Sequence, residues 1–157
     1  MKKVLVTGSD GFIGSHLVEY LVKKGHSVKA FVYYNSFNKK GWLDYIDKKI
    51  LSETEIFFGD VRNFDSVNLA INNCKSVLHL ASLIGIPYSY ISPLAYLKTN
   101  IEGTYNVLEA SKELNLDQIL ITSTSETYGS GQFFPMNEKH PLNAQSPYAA
   151  TKIGADQ

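Results

Sequence analysis

Tyr148 and Lys152 are the two residues of this sequence best suited to moving a proton. They stand four positions apart in a stretch with helical character, so both side chains project from one face of a helix. An ammonium group beside a phenol favours the phenolate, lowers the pKa of the phenol and gives a base that works near neutral pH. Because Tyr-x-x-x-Lys pairs are also common on protein surfaces, their interpretation depends on the rest of the chain.

A glycine-rich turn near the start of the sequence supplies that context. Residues 4–7 predict a buried strand, and Gly8, Gly11 and Gly14 follow it before an apolar stripe at helical spacing. A strand, a glycine turn and a helix N-terminus in this order bind the pyrophosphate of a dinucleotide on free backbone N–H groups. Gly8 is expected to form the tight turn, Gly11 to make room for the phosphates, and Gly14 to bring the helix close to the strand.

Five predicted strands alternate with predicted helices along the chain. The pattern predicts an α/β fold with a doubly wound parallel sheet (a Rossmann fold), in the strand order 3-2-1-4-5 and ending before a sixth strand. The predicted strands cover residues 4–7, 28–33, 55–58, 76–80 and 118–122, and the predicted helices cover 12–24, 66–72, 93–113 and 148–156. The apolar stripe that the third of these helices is expected to bury consists of Leu94, Leu97, Ile101, Val107 and Leu108.

Composition excludes several classes of function. The chain has 157 residues, a formal net charge of zero and no basic run, so neither nucleic acid nor an anionic membrane is expected as a partner. No stretch is apolar for long enough to span a bilayer. The single cysteine, Cys74, indicates a reducing compartment, and we expect a cytoplasmic protein. No pair of histidines has metal-ligand spacing, so no metal is expected, and His79 is expected to be a core histidine.

The ends of the predicted strands supply candidate ligand contacts. The second strand ends at Tyr33, where dinucleotide folds carry an acid that selects NAD or a base that selects NADP. Neither type stands there or at the following residues, which include Asn35, so the choice between NAD and NADP stays open. Asp60, after the third strand, is expected either to meet the adenine amino group or to cap the helix beginning at Phe64. Residues 81–90 form either a wall of the site or a surface loop.

A polar run closes the fifth strand at the same edge of the sheet. It contains Thr124, Ser125 and Glu126, and ligands of open α/β sheets bind at that edge. The alternative for Glu126 is a solvent-facing strand end. Residues 129–146 follow as a long loop, and loops of this length are usually functional or mobile.

With these motifs in order, the sequence resembles the extended short-chain dehydrogenase/reductase family, in particular its nucleotide-sugar epimerases and dehydratases. The resemblance spans the whole chain. Members of the family continue for about as long again, so residues 1–157 are expected to be the NAD(P)-binding Rossmann domain without the C-terminal substrate domain. The matching motifs are residues 7–14, Asp60-Val61, 79–81, 100–104 and Tyr148 to Lys152.

Two further segments are similar to those of particular dehydratases. Residues 124–129 look like the Thr-Ser-Glu form of GDP-mannose 4,6-dehydratases. Residues 34–38 and 41–44 look like those of the legionaminic acid pathway dehydratases, which act on GDP-N-acetylglucosamine. The resemblance therefore implies a 4,6-dehydratase acting on a GDP- or UDP-linked hexose or N-acetylhexosamine. An epimerase of the same family, argued against by Glu126, and a non-catalytic dinucleotide-binding module are the alternatives.

The resemblance also implies roles for the site residues. Tyr148 would take the hydroxyl proton at carbon 4, Lys152 would hold the ribose and Thr124 would bind the reacting oxygen. Glu126 would remove the proton at carbon 5. Ser125 stands where other dehydratases carry an aspartic acid, so Glu126 or a water would also protonate the leaving hydroxyl. The implied contacts to NAD or NADP are Gly8, Asp10, Gly11, Phe12, Ile13, Gly14, Tyr33, Asn35, Asp60, Val61, Leu80, Ala81, Ser82, Asn100, Tyr148 and Lys152.

A homodimer is the last implication of the resemblance. Family members pair two long helices from each subunit into a four-helix bundle, and here these helices begin at Pro93 and Tyr148.

Overall fold

A five-stranded parallel sheet organises the molecule. The computed structural model describes residues 3–157, and its sheet has the order β3-β2-β1-β4-β5. The predicted fold class and strand order are therefore confirmed. The strands are β1 Lys3–Thr7, β2 Ser27–Tyr33, β3 Glu55–Gly59, β4 Ser76–His79 and β5 Gln118–Ile121.

Helices flank this sheet on both faces. The α-helices are α1 Phe12–Lys23, α2 Lys48–Glu53, α3 Phe64–Ile71, α4 Ile86–Ile91, α5 Pro93–Tyr96, α6 Gly103–Glu113 and α7 Pro147–Asp156. A π-helical segment, Leu97–Glu102, joins α5 to α6, and short 3₁₀ helices cover Gly41–Tyr45 and Ser125–Thr127. Within residues 3–157, no helix combines the length and the apolar character needed to cross a membrane.

Two apolar layers bury the two faces of the sheet. One contains Leu5, Phe31 and Val77 with side chains of α3 and α6, and the other contains Val6 and Val28 with side chains of α1 and α2. Burial on both faces is the usual condition of a parallel sheet, because helices cover both sides. The carboxyl ends of the strands thus stay at one open edge, where the loops meet.

The predicted buried face of the α5–α6 region is wrong for three of its five residues, whereas Val107 is buried as predicted. Leu94, Leu97 and Leu108 are 61%, 47% and 39% exposed, whereas Asn100 is 1% exposed. The inward face consists of small or polar side chains with Val107, because the backbone groups and polar side chains nearby need hydrogen-bond partners. Asn106, for example, donates to the carbonyl of Val61 at 2.9 Å. The buried residues of the π-helical segment and α6 are Asn100, Gly103, Thr104, Asn106, Val107, Ala110 and Ser111.

Two helices lie where no helix was predicted. Lys48–Glu53 is helical because the Asp47 side chain accepts hydrogen bonds from the backbone N–H groups of Lys49 and Ile50, which caps the helix. Ile86–Ile91, inside the predicted loop 81–90, begins with Pro87 in its first turn, a position that tolerates proline. Both helices are six residues long, too short for a clear helical period.

Candidate active site

A cleft of about 840 Å³ opens along the carboxyl edge of the sheet. The glycine turn, the ends of β2, β3 and β4, the residues after β5 and helix α7 line it together. Most of the predicted contacts to the dinucleotide meet there. They are Gly8, Asp10, Gly11, Phe12, Ile13, Gly14, Tyr33, Asp60, Val61, Leu80, Ala81, Ser82, Tyr148 and Lys152.

The glycine turn leaves a helix N-terminus open towards this cleft. Gly8 has φ +66°, and a Cβ there would lie 2.8 Å from the backbone nitrogen of Ala81, so both its conformation and its surroundings require glycine. A Cβ on Gly14 would overlap the carbonyl of Gly8, which permits the close approach of α1. Gly11 precedes α1, and no side chain caps that helix. Its first N–H groups can therefore bind the phosphates of NAD or NADP.

A buried chain of hydrogen bonds supports the wall behind this turn. The Thr7 hydroxyl oxygen accepts the backbone N–H groups of Leu80 and Ala81, both at 3.1 Å, and lies 2.7 Å from Nδ1 of His79. Nε2 of His79 lies 3.2 Å from the hydroxyl of Thr104. Burial lowers the pKa of His79 to about 4, so its ring is neutral at pH 7 and makes both contacts as a core residue.

Asn100 lies behind the cleft and does not line it. Its Oδ1 accepts the Ser82 hydroxyl at 2.9 Å and the backbone N–H of Leu83 at 2.8 Å. Its Nδ2 donates to the carbonyl of Leu83 at 3.0 Å and to the Thr151 hydroxyl at 3.1 Å. The predicted cofactor contact is thus a buried bridge between the loop after β4 and helix α7. It belongs to the π-helical segment, and such segments often occur at functional sites.

Tyr148 and Lys152 face the same cleft as the glycine turn. The Ser146 side chain caps α7 by accepting the N–H of Ala149 at 3.0 Å, and Pro147 occupies the first turn. Tyr148 is buried, with its ring edge-on to Tyr96.

Lys152 is fixed by a backbone contact. Its Nζ donates to the carbonyl of Thr122 at 2.6 Å. Burial lowers the pKa of the Lys152 ammonium, and the charge of Asp156 partly opposes that shift. The ammonium therefore has a fixed position at the end of β5.

The three residues after Ser123 lie beside the cleft. Thr122 and Ser123 line it, whereas Thr124, Ser125 and Glu126 do not. The Thr124 hydroxyl accepts the backbone N–H of Glu126 at 3.3 Å and so begins the 3₁₀ turn Ser125–Thr127. This turn packs against α7, and Ser125 and Glu126 are exposed. The structure thus brings the predicted acid next to the helix of the proton-transfer pair, on the open side.

Arg62 is a cleft residue that the sequence analysis missed. Its guanidinium contacts the Asp60 carboxylate, with Nε–Oδ1 at 2.9 Å and Nη2–Oδ2 at 2.5 Å, and it also donates to the Tyr33 hydroxyl at 3.1 Å. This contact holds the pKa of Asp60 below its usual range. Asp60 does not cap α3, because Asn63 does, so that alternative is wrong. The only sequence signal was an arginine two positions after the acid.

Asn35 also lies away from the cleft. Its Oδ1 accepts the backbone N–H groups of Phe37 and Lys39, at 3.2 and 3.0 Å. Its Nδ2 donates to the carbonyls of Tyr33 and Lys39, at 3.2 and 2.8 Å. Asn35 therefore shapes its own loop, and it is not among the residues that line the cleft.

The loop at 129–146 is irregular but anchored. His140 is buried between the rings of Tyr128 and Phe133, and its Nε2 accepts the backbone N–H of Gln132 at 2.9 Å. The Tyr90 hydroxyl donates to the carbonyl of Gln145 at 3.1 Å. Among residues 3–157, no three His, Cys, Asp or Glu side chains cluster in a way that could hold a metal ion.

Comparisons with known proteins agree with this geometry. The family model of GDP-mannose 4,6 dehydratase matches residues 5–157. The UDP-glucose 4-epimerase of Lactobacillus helveticus is 32% identical over 153 residues, which cover 96% of this chain and 44% of that protein. The dTDP-D-glucose 4,6-dehydratase of Dictyostelium discoideum is 32% identical over 176 residues, which cover 99% of this chain and 39% of that protein.

A solved structure extends the comparison to ligands. MoeE5 in complex with UDP-glucose and NAD superposes with a TM-score of 0.81 at 29% identity, covering 98% of this chain and 46% of that chain. The present chain thus spans less than half the length of each of these relatives. Its open helix N-terminus and glycine turn fit the same dinucleotide. The chain belongs to the GDP-mannose 4,6 dehydratase family, within the NAD(P)-binding extended short-chain dehydrogenases/reductases that include nucleotide-sugar epimerases and dehydratases.

Proposed function

We propose that the protein is an NAD(P)-dependent nucleotide-sugar 4,6-dehydratase. The observation that carries the proposal is the acid Glu126, in the turn that packs against the helix bearing Tyr148 and Lys152. Because the relatives are about twice as long as this chain, the activity is proposed for a protein in which a C-terminal substrate domain completes the cleft. A cytoplasmic location is part of the proposal, supported by the buried free thiol of Cys74.

Tyr148 is the proposed base of the first step. When bound, NAD(P) would supply the hydride acceptor for carbon 4 and the hydride donor for carbon 6. Tyr148, as phenolate, takes the proton of the hydroxyl on carbon 4, and the ammonium of Lys152 stabilises that phenolate. The Thr124 hydroxyl donates a hydrogen bond to the oxygen as it becomes a ketone oxygen.

Glu126 is the proposed base of the elimination. The ketone at carbon 4 makes the hydrogen at carbon 5 acidic, and the Glu126 carboxylate removes it as a proton. The hydroxyl on carbon 6 then leaves and is protonated to water. When the hydride adds to carbon 6, carbon 5 takes up a proton from solvent through Glu126, and Tyr148 releases to solvent the proton that it took from the hydroxyl on carbon 4. A serine is a poor acid, so Ser125 is proposed to bind the leaving hydroxyl while Glu126, or a water beside it, supplies the proton.

A 4-epimerase is the second candidate. Oxidation and reduction at carbon 4 alone need Tyr148 and Lys152 but no acid at position 126. The epimerase of Lactobacillus helveticus is as similar to this chain as the dehydratase of Dictyostelium discoideum, both at 32% identity. The substrate is proposed to be a GDP- or UDP-linked hexose or N-acetylhexosamine in either case.

Mass spectrometry of the product separates the two candidates. The full-length enzyme is incubated with NAD or NADP and with GDP- or UDP-linked N-acetylglucosamine. A dehydratase gives a 4-keto-6-deoxy product that has lost one water, whereas an epimer has an unchanged mass. Glu126→Gln should abolish the loss of water, and Glu138→Gln, which changes an exposed acid in the loop 129–146, should not. A product of unchanged mass from the wild type would contradict the dehydratase proposal.

The exposed stripe on α5 and α6 supports the proposed homodimer. Leu94, Leu97, Tyr105 and Leu108 are 61%, 47%, 60% and 39% exposed and recur at helical spacing. Two copies that pair these helices and α7 would cover the stripe in a four-helix bundle. Light scattering of Tyr105→Glu should give a monomer, whereas Tyr20→Glu, on the exposed side of α1, should stay dimeric.

A further inference from the structure

Residues 35–45, the segment that follows β2, contact the dinucleotide turn from outside the cleft. None of them lines the cleft. The backbone N–H of Trp42 donates to the carbonyl of Asp10 at 2.9 Å. The Trp42 ring packs edge-on against Phe12, with centroids 5.3 Å apart. Asp10 and Phe12 both line the cleft. Residues 35–45 therefore contact two residues of the cleft lining without lining the cleft themselves.

Gly41 makes the close approach possible. It has φ +59°, a conformation that side-chain-bearing residues rarely adopt. A Cβ at this position would overlap the carbonyl oxygen of Asp10, the acceptor of the Trp42 N–H. Any larger residue must therefore push residues 35–45 away from the turn.

Residues 35–45 are fixed by contacts of their own, so they can support the turn at 8–14. Asn35 makes the hydrogen bonds described above within it, and Leu43 is fully buried in the core. The carboxylate of Asp44 accepts the backbone N–H of Lys40 at 3.0 Å. These contacts fix the segment independently of any ligand, which is what a rigid support for the turn requires.

Asp10 joins three parts of the molecule. Its carbonyl accepts from Trp42, its carboxylate interacts with the backbone of Tyr33 at the end of β2, and its main chain belongs to the turn. Burial raises the pKa of the Asp10 carboxyl, and the hydrogen bonds from backbone N–H groups partly oppose this. A shift of residues 35–45 would thus move the turn and the end of β2 together.

We propose that Gly41 and Trp42 are positioning residues for the dinucleotide, which hold the turn at 8–14 in its phosphate-binding shape. They act through Asp10 and Phe12 and touch neither the cofactor nor the substrate. The proposal rests on the dinucleotide binding that the proposed function requires. Its consequence is a loss of cofactor affinity without a loss of chemistry, because Tyr148 and Lys152 belong to α7, which is part of neither the turn nor residues 35–45.

Calorimetric titration with NAD, and separately with ADP, tests the proposal on the full chain. Loss of the Trp42–Asp10 hydrogen bond and displacement of the turn should raise the Kd of Gly41→Ala for both probes about five- to tenfold. At saturating NAD, kcat should stay within about twofold of the wild type. Gly25→Ala is the matched control, because Gly25 also has a positive φ, of 83°, but follows α1 far from the turn. That variant should lower the melting temperature and leave the Kd unchanged.

A second pair of variants tests the contact of the Trp42 ring with Phe12. It also keeps the proposal testable if Gly41→Ala does not fold. Trp42→Ala keeps the backbone N–H but removes the contact with Phe12, and it should raise the Kd about two- to threefold. Phe37→Ala removes an 80% exposed ring of the same segment and should not change the Kd. Wild-type affinity in both a folded Gly41→Ala and Trp42→Ala would overturn the inference. A wild-type chain that binds neither NAD nor ADP would instead overturn the proposed function and, with it, this inference.

Discussion

The two ends of the cleft are built in different ways. At the cofactor end, residues 7–14 and 79–82 are held by close backbone contacts and buried hydrogen bonds, such as those of Thr7 and His79. At the reaction end, residues 122–127 form a short turn whose Ser125 and Glu126 are exposed. The first region is therefore fixed by its own buried contacts. The second region exposes its polar side chains to solvent.

The largest effect is expected for Tyr148→Phe, which should lower the rate of the reaction but not the affinity for NAD. Tyr148→Phe removes the proposed base, and loss of one general base typically costs about 10²- to 10⁴-fold in rate. Because the phosphate-binding turn precedes α1 whereas Tyr148 belongs to α7, the Kd for NAD should change by less than about threefold. Stopped-flow assays of the full-length enzyme and calorimetry measure the two quantities. An equal loss in kcat and in NAD affinity would contradict the division between the two ends.

The pH dependence of unfolding tests the rigidity of the cofactor end. The folded-state pKa of His79 is about 4, whereas a histidine in an unfolded chain has a pKa near 6.5. The unfolded state therefore binds a proton that the folded state does not, and stability should fall by about 3 kcal/mol as the pH drops from about 6.5 to 4.

Chemical denaturation at several pH values measures this slope, and histidine variants assign it. His79→Gln should lose this part of the pH dependence. His16→Gln, which changes an exposed histidine that contacts the carbonyl of Phe12, should keep it. Identical slopes for the two variants would show that other groups cause the acid sensitivity.

Asn100 is expected to give the next largest effect. Asn100→Ala leaves the backbone N–H and carbonyl of Leu83 without their side-chain partners in a buried place, which should cost about 1–3 kcal/mol of unfolding free energy. Asn68→Ala, which removes a hydrogen bond to Glu113 near the surface, should cost less than about 0.5 kcal/mol. Urea denaturation compares them. Equal costs would mean that the buried bridge does not stiffen the cleft wall.

The smallest effect is expected at the Asp60–Arg62 pair. Arg62→Met should change the unfolding free energy by less than about 1 kcal/mol, because the pair is partly exposed to solvent. The pKa of Asp60 should rise towards its ordinary value, since Arg62 is the main cause of its lowering. An NMR titration of the Asp60 carboxyl in the variant measures this, and an unchanged pKa would contradict the assignment.

What the sequence could predict were features set by backbone geometry. The glycine turn and the Tyr148–Lys152 pair each have a fixed spacing in the sequence. The strand order follows from the regular alternation of predicted strands and helices along the chain. The outward stripe of Leu94, Leu97 and Leu108 could not be predicted, because periodicity identifies an apolar face but not what it faces. The hydrogen bonds of Asn100 depend on which segments the fold brings together, because their partners are Ser82, Leu83 and Thr151.

The hydrogen bond from Lys152 to the carbonyl of Thr122 affects which residues can replace Thr122. Every amino acid carries a main-chain carbonyl, so the ammonium keeps its acceptor whichever residue stands at position 122. Substitutions there can change the lining of the cleft while the ammonium of Lys152 keeps its position.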